Sequence, residues 1–305
     1  MTRGSVVLNI MAFETSKDVL DWYEKQERTL TKEFIGGLPW NEVRKTPLDP
    51  KFIPVLLYMR DVEVLTDMYH RELRRTPTGR DPVIAKFMER WGVEEVTHGQ
   101  VINRFLNEAG HDTPKDWQNE THRNVPKSYH ASTYLLTSLT NLLGSRFTAT
   151  HMAFGAIHEM STAQAYRRMK EIAGHPVLSQ ILEGIIREEA AHTHFYWSVA
   201  KLELQKSETA QKIARKVVET FWRPVGQGSL AKKRTEYSIA TLFGDDSGEG
   251  VDTLDRTVTK RAHQLPGFSK LTKTTYRFRE ICQRLGKQKA LVSSFVFSLP
   301  FSAFV

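Results

Sequence analysis

The chain has 305 residues, with 43 lysines and arginines against 35 aspartates and glutamates, and a formal net charge of +8. Its 40% hydrophobic and 26% charged residues argue against a disordered or collagen-like chain. The single cysteine, Cys282, excludes an intramolecular disulfide and a cysteine-based metal site from this chain alone, and it indicates a cytoplasmic protein. No apolar run reaches the roughly 18–20 residues of a membrane span, so none is expected.

Periodic apolar residues between glycine and proline breaks predict a chain that is almost entirely helical. In chain order, the predicted helices cover the following segments: 18–34, 51–74, 81–110, 130–143, 146–173, 176–206 and 207–222. Residues 111–127 are polar and predict a loop. Further glycine-rich loops surround Gly226 and Gly228 and occupy residues 244–250.

Strand signals are scarce, and the best one lies at 291–297 within an uncharged tail, 290–305, that Pro300 interrupts. The tail could pack on the body of the protein, join a dimer contact or touch a lipid surface. We therefore expect one all-α domain spanning 1–305. It would have a helical bundle at about 50–205, extra N-terminal helices, C-terminal additions at 206–305 and a short irregular or β-like C-terminal tail.

Two Glu-x-x-His motifs interrupt apolar helix seams, one formed by Glu95 and His98 and the other by Glu189 and His192. Residues three apart lie on the same face of a helix. The apolar residues around both motifs follow steps of four and three, as in a packed bundle. A buried carboxylate is costly unless it is paired or binds a metal, so the two motifs predict a common partner. A third pair, Glu108 and His111, straddles a glycine and is interpreted as a chance match.

The helix before each motif helix carries one more glutamate in its seam, so the chain has two similar halves. Glu63 lies 32 positions before Glu95, and Glu159 lies 30 positions before Glu189. Four carboxylates and two histidines inside a bundle are the ligand set of ferritin-like di-iron or di-manganese proteins. We therefore predict two iron ions, with manganese as a possible substitute, bound by these residues: Glu63, Glu95, His98, Glu159, Glu189 and His192.

Other polar residues near the motifs are weaker candidates for metal ligands. Glu94 and Glu188 fall off the apolar seams, so we expect them to be solvated or to contact the ligands from outside. The neighbouring histidines are expected to be hydrogen-bonded or surface residues rather than ligands; they are His70, His151, His158 and His194.

Both motifs resemble the iron motifs of the soluble acyl-acyl-carrier-protein desaturases. Residues 91–106 contain a tryptophan followed by Glu-Glu-x-x-His-Gly, and residues 187–192 contain Glu-Glu-x-x-His, with Glu188 where that family usually has aspartate. The resemblance covers about residues 50–200. It implies an O₂-dependent di-iron oxidoreductase of fatty acid metabolism and lipid biosynthesis, which introduces a double bond into a carrier-bound acyl chain. It also implies that Thr162 is a catalytic residue on the oxygen-binding side, and that the single glutamates are able to bridge the ions.

The same resemblance implies an acyl carrier protein as substrate, a ferredoxin-like reductant and a homodimer. The positive net charge fits acidic partners, and two basic patches are candidates for docking them: Lys212, Arg215 and Lys216, or Lys232, Lys233 and Arg234. No nucleic-acid motif is present, and no nucleic-acid partner is expected. Two alternatives stay open, namely another di-iron oxygenase (a hydroxylase or N-oxygenase on a carrier-bound or small substrate) and a non-enzymatic ferritin-like iron-binding protein.

Overall fold

A computed structural model describes residues 13–297, apart from Asp246 and Lys273, with side chains up to residue 286. The described part is all-α, as predicted, and contains no β-strand beyond an isolated bridge between Gln227 and Leu230. Its helices are α1 (Ser16–Glu24), α2 (Lys32–Gly37), α3 (Ile53–Val64), α4 (Thr66–Leu73), α5 (Pro82–Glu108), α6 (Trp117–Arg123), α7 (Lys127–Leu139), α8 (Arg146–Ala173), α9 (Pro176–Gln205), α10 (Glu208–Phe221), α11 (Lys232–Phe243), α12 (Glu249–Ala262) and α13 (Tyr276–Phe297).

Four helices form the centre of the molecule, and they pair as the two sequence halves predict. Helix α3 packs along α5, helix α8 packs along α9, and α5 contacts α9. Around this bundle, α1 lies against α5 and α9, α10 covers α8 and α9, and α11 contacts α3, α8 and α13. A continuous apolar core extends from Val19 in α1 to Ile281 in α13. The expectation of one domain stays a prediction.

The ends of the long helices follow local capping chemistry. Asp81 accepts hydrogen bonds from the backbone N–H groups of Val83 and Ile84 at the start of α5, where Pro82 occupies the first turn. Helix α8 ends at Gly174, which adopts a left-handed conformation with φ of 59°. These signals are local in sequence, which is why the predicted bounds of α5, α8, α9 and α10 agree with the structure to within two residues.

Three predicted segments differ from the structure because tertiary contacts override local propensity. The predicted helix 18–34 is interrupted after Glu24, since the N–H groups of Thr29 and Leu30 bond the Glu188 carboxylate instead of a preceding carbonyl. The predicted helix 51–74 breaks at Leu65, between α3 and α4. The predicted loop 111–127 contains α6, whose Trp117 is buried.

The predicted β-like tail is wrong over 291–297, where the backbone is helical. The helix has already begun at Tyr276, and extending an existing helix costs far less than starting a strand that has no partner. Residues 298–305 lie outside the described part. Among the helices that the structure describes, none combines the length and apolar character needed to cross a bilayer.

Candidate metal centre

The six predicted ligand residues converge in the middle of the four-helix bundle, and all six are buried. They form two overlapping groups of four, and in each group the potential ligand atoms lie within 4.8 Å of one another. The groups are Glu63, Glu95, His98 and Glu189, and Glu95, Glu159, Glu189 and His192.

The shared members of the two groups are Glu95 and Glu189, the motif glutamates. The single glutamates, Glu63 and Glu159, each belong to one group only. Bridging by the single glutamates stays a prediction, and Glu95 and Glu189 are the residues that this geometry shares between the two groups. The reason is the bundle packing, because α5 contacts α9 directly and brings the two motif carboxylates together between the single glutamates of α3 and α8.

Several polar atoms of the cluster are buried without a hydrogen-bond partner among the described residues. They are Nδ1 of His98, Nδ1 of His192 and both carboxylate oxygens of Glu189. Buried polar atoms are rarely left unsatisfied, and these atoms are also the donors that iron and manganese prefer. Four carboxylates carry the negative charge that two divalent cations neutralise, so the donor set fits a metal pair.

The pKa shifts of the cluster show that it attracts positive charge. Burial and the charge of Glu95 raise the pKa of Glu63 well above its usual value, and burial and the charge of Glu189 do the same for Glu159. Burial lowers the pKa of His192, but the charge of Glu95 and the hydrogen bond with Glu94 outweigh burial and raise that pKa to about 10.

Each cluster histidine is held by a glutamate of the opposite motif. Nε2 of His98 lies 2.9 Å from Oε2 of Glu188, and Nε2 of His192 lies 2.9 Å from Oε2 of Glu94. Each carboxylate accepts a hydrogen bond from the Nε2–H group of its histidine. Each imidazole therefore presents Nδ1 to the cluster. Glu94 and Glu188 therefore contact the ligands from outside, one of the two predicted options, but both are buried rather than solvated.

The N-terminal segment holds both of these outer glutamates, which the sequence did not indicate. The Tyr23 hydroxyl donates to Glu94 Oε2 at 2.5 Å, and Arg90, within α5 itself, adds a hydrogen bond from Nε to Glu94 Oε1 at 2.8 Å. The backbone N–H groups of Thr29 and Leu30 donate to Oε1 of Glu188 at 2.7 and 2.9 Å. Burial opposes ionisation of Glu94, but hydrogen bonds from His192, Tyr23 and Arg90 lower its pKa to about 2. Glu94 is therefore ionised at neutral pH, and its carboxylate holds His192 through the hydrogen bond at Nε2.

Two further residues shape the cluster from within the bundle. The Tyr166 hydroxyl donates a hydrogen bond to Glu63 Oε1, and no sequence motif predicts this contact. Gly99, which follows His98, lies where a Cβ atom would approach the Arg60 carbonyl oxygen to 3.0 Å and Glu63 Cβ to 3.3 Å. A glycine here lets α5 pass close to α3, which brings His98 and Glu63 into one group.

The remaining histidines lie outside the cluster, as expected. His158 places Nε2 3.0 Å from the Arg223 carbonyl oxygen, and neither metal-competent group includes His70, His151 or His194. The pair Glu108 and His111 also belongs to neither group.

A cavity of about 360 Å³ adjoins the cluster. Glu63, Glu95 and Glu159 form part of its wall, together with Thr162. The cavity reaches the surface beside Phe221, a lining residue that is 57% exposed. The structure therefore places Thr162 and three cluster glutamates in the wall of one space that is large enough for a small molecule or a chain; the catalytic role of Thr162 stays a prediction.

The fold and the site define an all-α protein with a buried carboxylate–histidine cluster that could hold a metal and that opens onto a cavity. The family model described as fatty acid desaturase matches residues 64–221, just over half of the chain. The chain therefore belongs to the fatty acid desaturase family, a family of oxidoreductases. The match includes every cluster residue except Glu63, which lies one position before its start. No curated protein matches the chain.

Proposed function

We propose that the protein is a di-iron acyl-[acyl-carrier-protein] desaturase, which uses O₂ and two electrons to introduce a double bond into a carrier-bound acyl chain. The observation that carries the proposal is the position of the six-residue cluster in the wall of a cavity, in a chain of the fatty acid desaturase family. An acyl chain in this cavity would have its carbons beside Glu63, Glu95 and Glu159.

The roles of the residues follow from their positions. Glu63, Glu95, His98, Glu159, Glu189 and His192 would hold two iron ions, or manganese in their place. When bound, the two ions supply the oxygen activation needed to remove two hydrogens from adjacent carbons. The protein orients the ligands through Glu94 and Glu188, and an acyl chain that fills the cavity would exclude water from the open side of the cluster. The electrons would come from a ferredoxin-like partner.

The charge around the cavity opening supports docking of an acidic acyl carrier protein. Arg223 lines the cavity, and Arg277 donates to the Thr220 carbonyl oxygen at 3.3 Å beside it. Lys212 and Lys216 are exposed on the same helix as Thr220, so positive charge extends from the opening along α10. In the other predicted patch, Arg234 instead pairs with Asp61 at 2.6 Å. We therefore place the carrier at the α10 end of the molecule.

Reversing the charge of Arg223 tests this docking site. We expect Arg223→Glu to raise KM for a carrier-bound acyl substrate by about tenfold at low salt, because it repels an acidic carrier, with a smaller difference at high ionic strength. Steady-state kinetics at two salt concentrations measures this effect. Lys233→Glu in the other patch serves as the matched control, and the docking site is misplaced if that variant raises KM while Arg223→Glu does not.

The reaction itself is tested by mass spectrometry of the product. A saturated acyl chain on an acyl carrier protein, incubated with the iron-loaded protein, O₂ and a ferredoxin reducing system, is expected to lose two hydrogens. A product that gains one oxygen instead would overturn desaturation and establish a hydroxylase. An N-oxygenase, the other form of that alternative, would leave the acyl chain unchanged and oxidise an amine.

A non-enzymatic iron-storage protein is less well supported than an enzyme. Storage predicts a large hollow assembly with many irons per chain, whereas the matched family consists of oxidoreductases. Size-exclusion chromatography combined with iron counting separates these functions. A dimer with about two irons per chain agrees with the proposed enzyme, and a hollow multimer with many irons contradicts it.

Exposed apolar residues on α7 support the proposed homodimer. Five large apolar side chains of α7 and the turn that follows it are at least half exposed, a density unusual for a surface that stays in water: Tyr134, Leu135, Leu136, Leu139 and Leu142. We propose that a second copy covers them. Light scattering at micromolar concentration tests this, and a monomeric mass would contradict it.

A further inference from the structure

The wall of the cavity contains a carboxylate that does not belong to the metal cluster. Glu72, on α4, lines the cavity and is only 7% exposed. Among the described residues, no hydrogen bond reaches its carboxylate. The imidazole of His130 lies near it, with Nδ1 at 3.9 Å from Oε1, which is beyond hydrogen-bonding distance.

The other buried carboxylates outside the cluster are all well paired. Glu94 and Glu188 accept hydrogen bonds from the N-terminal segment and the cluster histidines. Asp61 pairs with Arg60 and with Arg234, each at 2.6 Å. Unlike these carboxylates, that of Glu72 faces the cavity, so a molecule that displaces water there must offer a hydrogen-bond donor or leave the carboxylate unpaired, at a cost of affinity. Glu72 is therefore an exception that a bound molecule would explain.

The arginines next to Glu72 in sequence do not fill this role. Arg71 lies 3.5 Å from Asp67, and the Arg75 guanidinium lies over the Tyr134 ring at 5.0 Å from its centroid. Burial raises the pKa of Glu72, while Arg75 and Arg71 lower it in part. The carboxylate thus keeps an acceptor at the cavity wall without a donor from the part of the chain that the structure describes.

The polar character of this wall extends beyond Glu72. Tyr69, Tyr129 and Thr133 also line the cavity, and the Tyr69 hydroxyl lies 2.8 Å from Ser229 Oγ. Further unsatisfied polar atoms line the same cavity: the Trp91 indole N–H, His151 Nδ1 and Gln227 Oε1 are buried without a hydrogen-bond partner among the described residues. A purely hydrocarbon chain would leave these groups unpaired, at a cost of affinity.

We propose that Glu72 binds a hydrogen-bond-donating substituent, a hydroxyl or a protonated amine, on the acyl chain in the cavity. The substrate class would then be polar-substituted acyl chains rather than plain alkyl chains. This inference rests on the proposed function, because it takes the cavity to be the acyl site.

Binding without turnover tests the inference. The probes are acyl carrier proteins loaded with chains of equal length that are either unsubstituted or carry one hydroxyl or one amine at successive carbons. Dissociation constants are measured by calorimetry on the iron-loaded protein without O₂ or reductant. We expect one substituted chain to bind at least about tenfold more tightly than the plain chain, as a hydrogen bond to a buried charged group implies.

Two variants identify the substituent and the residue. Glu72→Gln keeps an acceptor but loses the charge, so it should reduce binding of an amine strongly and of a hydroxyl only slightly. Glu72→Leu should abolish the preference in either case. Asp67→Asn, which changes an exposed carboxylate on the same helix, is the matched control and should leave the preference intact.

Two results overturn the inference, namely equal or tighter binding of the plain chain, or a preference that survives Glu72→Leu. Its failure is distinguishable from failure of the proposed function. If plain chains bind best and are desaturated, only the Glu72 inference fails. If substituted chains bind best but lose no hydrogens under O₂ and reductant, the proposed reaction fails while the role of Glu72 stands.

Discussion

Replacing Glu189 by alanine is expected to remove both metal positions at once. Glu189 belongs to both groups of potential ligands, and its two carboxylate oxygens have no hydrogen-bond partner among the described residues. Glu63 and Glu159 each belong to one group. After anaerobic loading with ferrous iron and desalting, Glu189→Ala should therefore retain almost no iron. Glu63→Ala and Glu159→Ala should each retain about one ion per chain, as measured by elemental analysis.

The stability of the metal-free protein provides a second readout for Glu189→Ala. Removing one of four carboxylates that share a buried site relieves repulsion and desolvation, so the metal-free variant should not be less stable than the metal-free parent. Glu183→Ala is the matched control, because Glu183 lies on the same helix and pairs at the surface with Lys170. Two irons per chain in Glu189→Ala would contradict the assignment of the shared position.

Replacing Glu94 by alanine is expected to weaken metal binding without abolishing it. Glu94 does not face the cluster but holds Nε2 of His192, so its loss frees the imidazole to rotate. Loss of such an outer partner lowers metal affinity by about 10–100-fold. The variant should thus still bind two ions at saturating iron, but with a higher dissociation constant in a ferrous titration.

The same substitution should also destabilise the fold, because Arg90 is left partly buried beside an empty position. We expect a loss of about 3–5 kcal/mol in the free energy of unfolding, which urea denaturation measures. Glu89→Ala, an exposed neighbour on the same helix, should change it by less than about 0.5 kcal/mol. If Glu94→Ala empties the site while Glu95→Ala keeps it filled, the assigned register is wrong by one residue.

The position of the cluster could be predicted because the relevant signal is periodic. A glutamate and a histidine in an apolar seam stand out at steps of four and three, and the seam fixes which face of the helix they occupy. The same periodicity identified Glu63 and Glu159 on the preceding helices. The structure brings these residues together because α3 packs on α5 and α8 packs on α9.

The supports of the cluster could not be predicted, because they depend on tertiary contacts. The pairing of Glu94 with His192 and of Glu188 with His98 crosses between helices, and the spacing of residues along one helix contains no signal for such a pairing. Tyr23 and Thr29 act through a segment that carries no recognisable motif. Their role becomes visible only when α1 lies against α5 and α9.

The cavity was equally inaccessible to sequence reasoning, since its wall is assembled from distant helices. Glu72 lies on α4 and Thr133 on α7, while Arg223 follows α10. The sequence pattern at Glu72 is that of an ordinary polar helix residue, and nothing local distinguishes it from exposed Asp67. Its burial depends on the packing of α7 over α4.

The most direct test of the central claim is an anaerobic titration of the metal-free protein with ferrous iron, with bound iron and melting temperature followed together. We expect uptake to saturate at two ions per chain. At about 100 times the dissociation constant each site adds about 2.7 kcal/mol of stability, so the melting temperature should rise by at least about 5 °C. A protein that takes up no iron and melts at an unchanged temperature would contradict the assignment of the buried cluster as a metal centre.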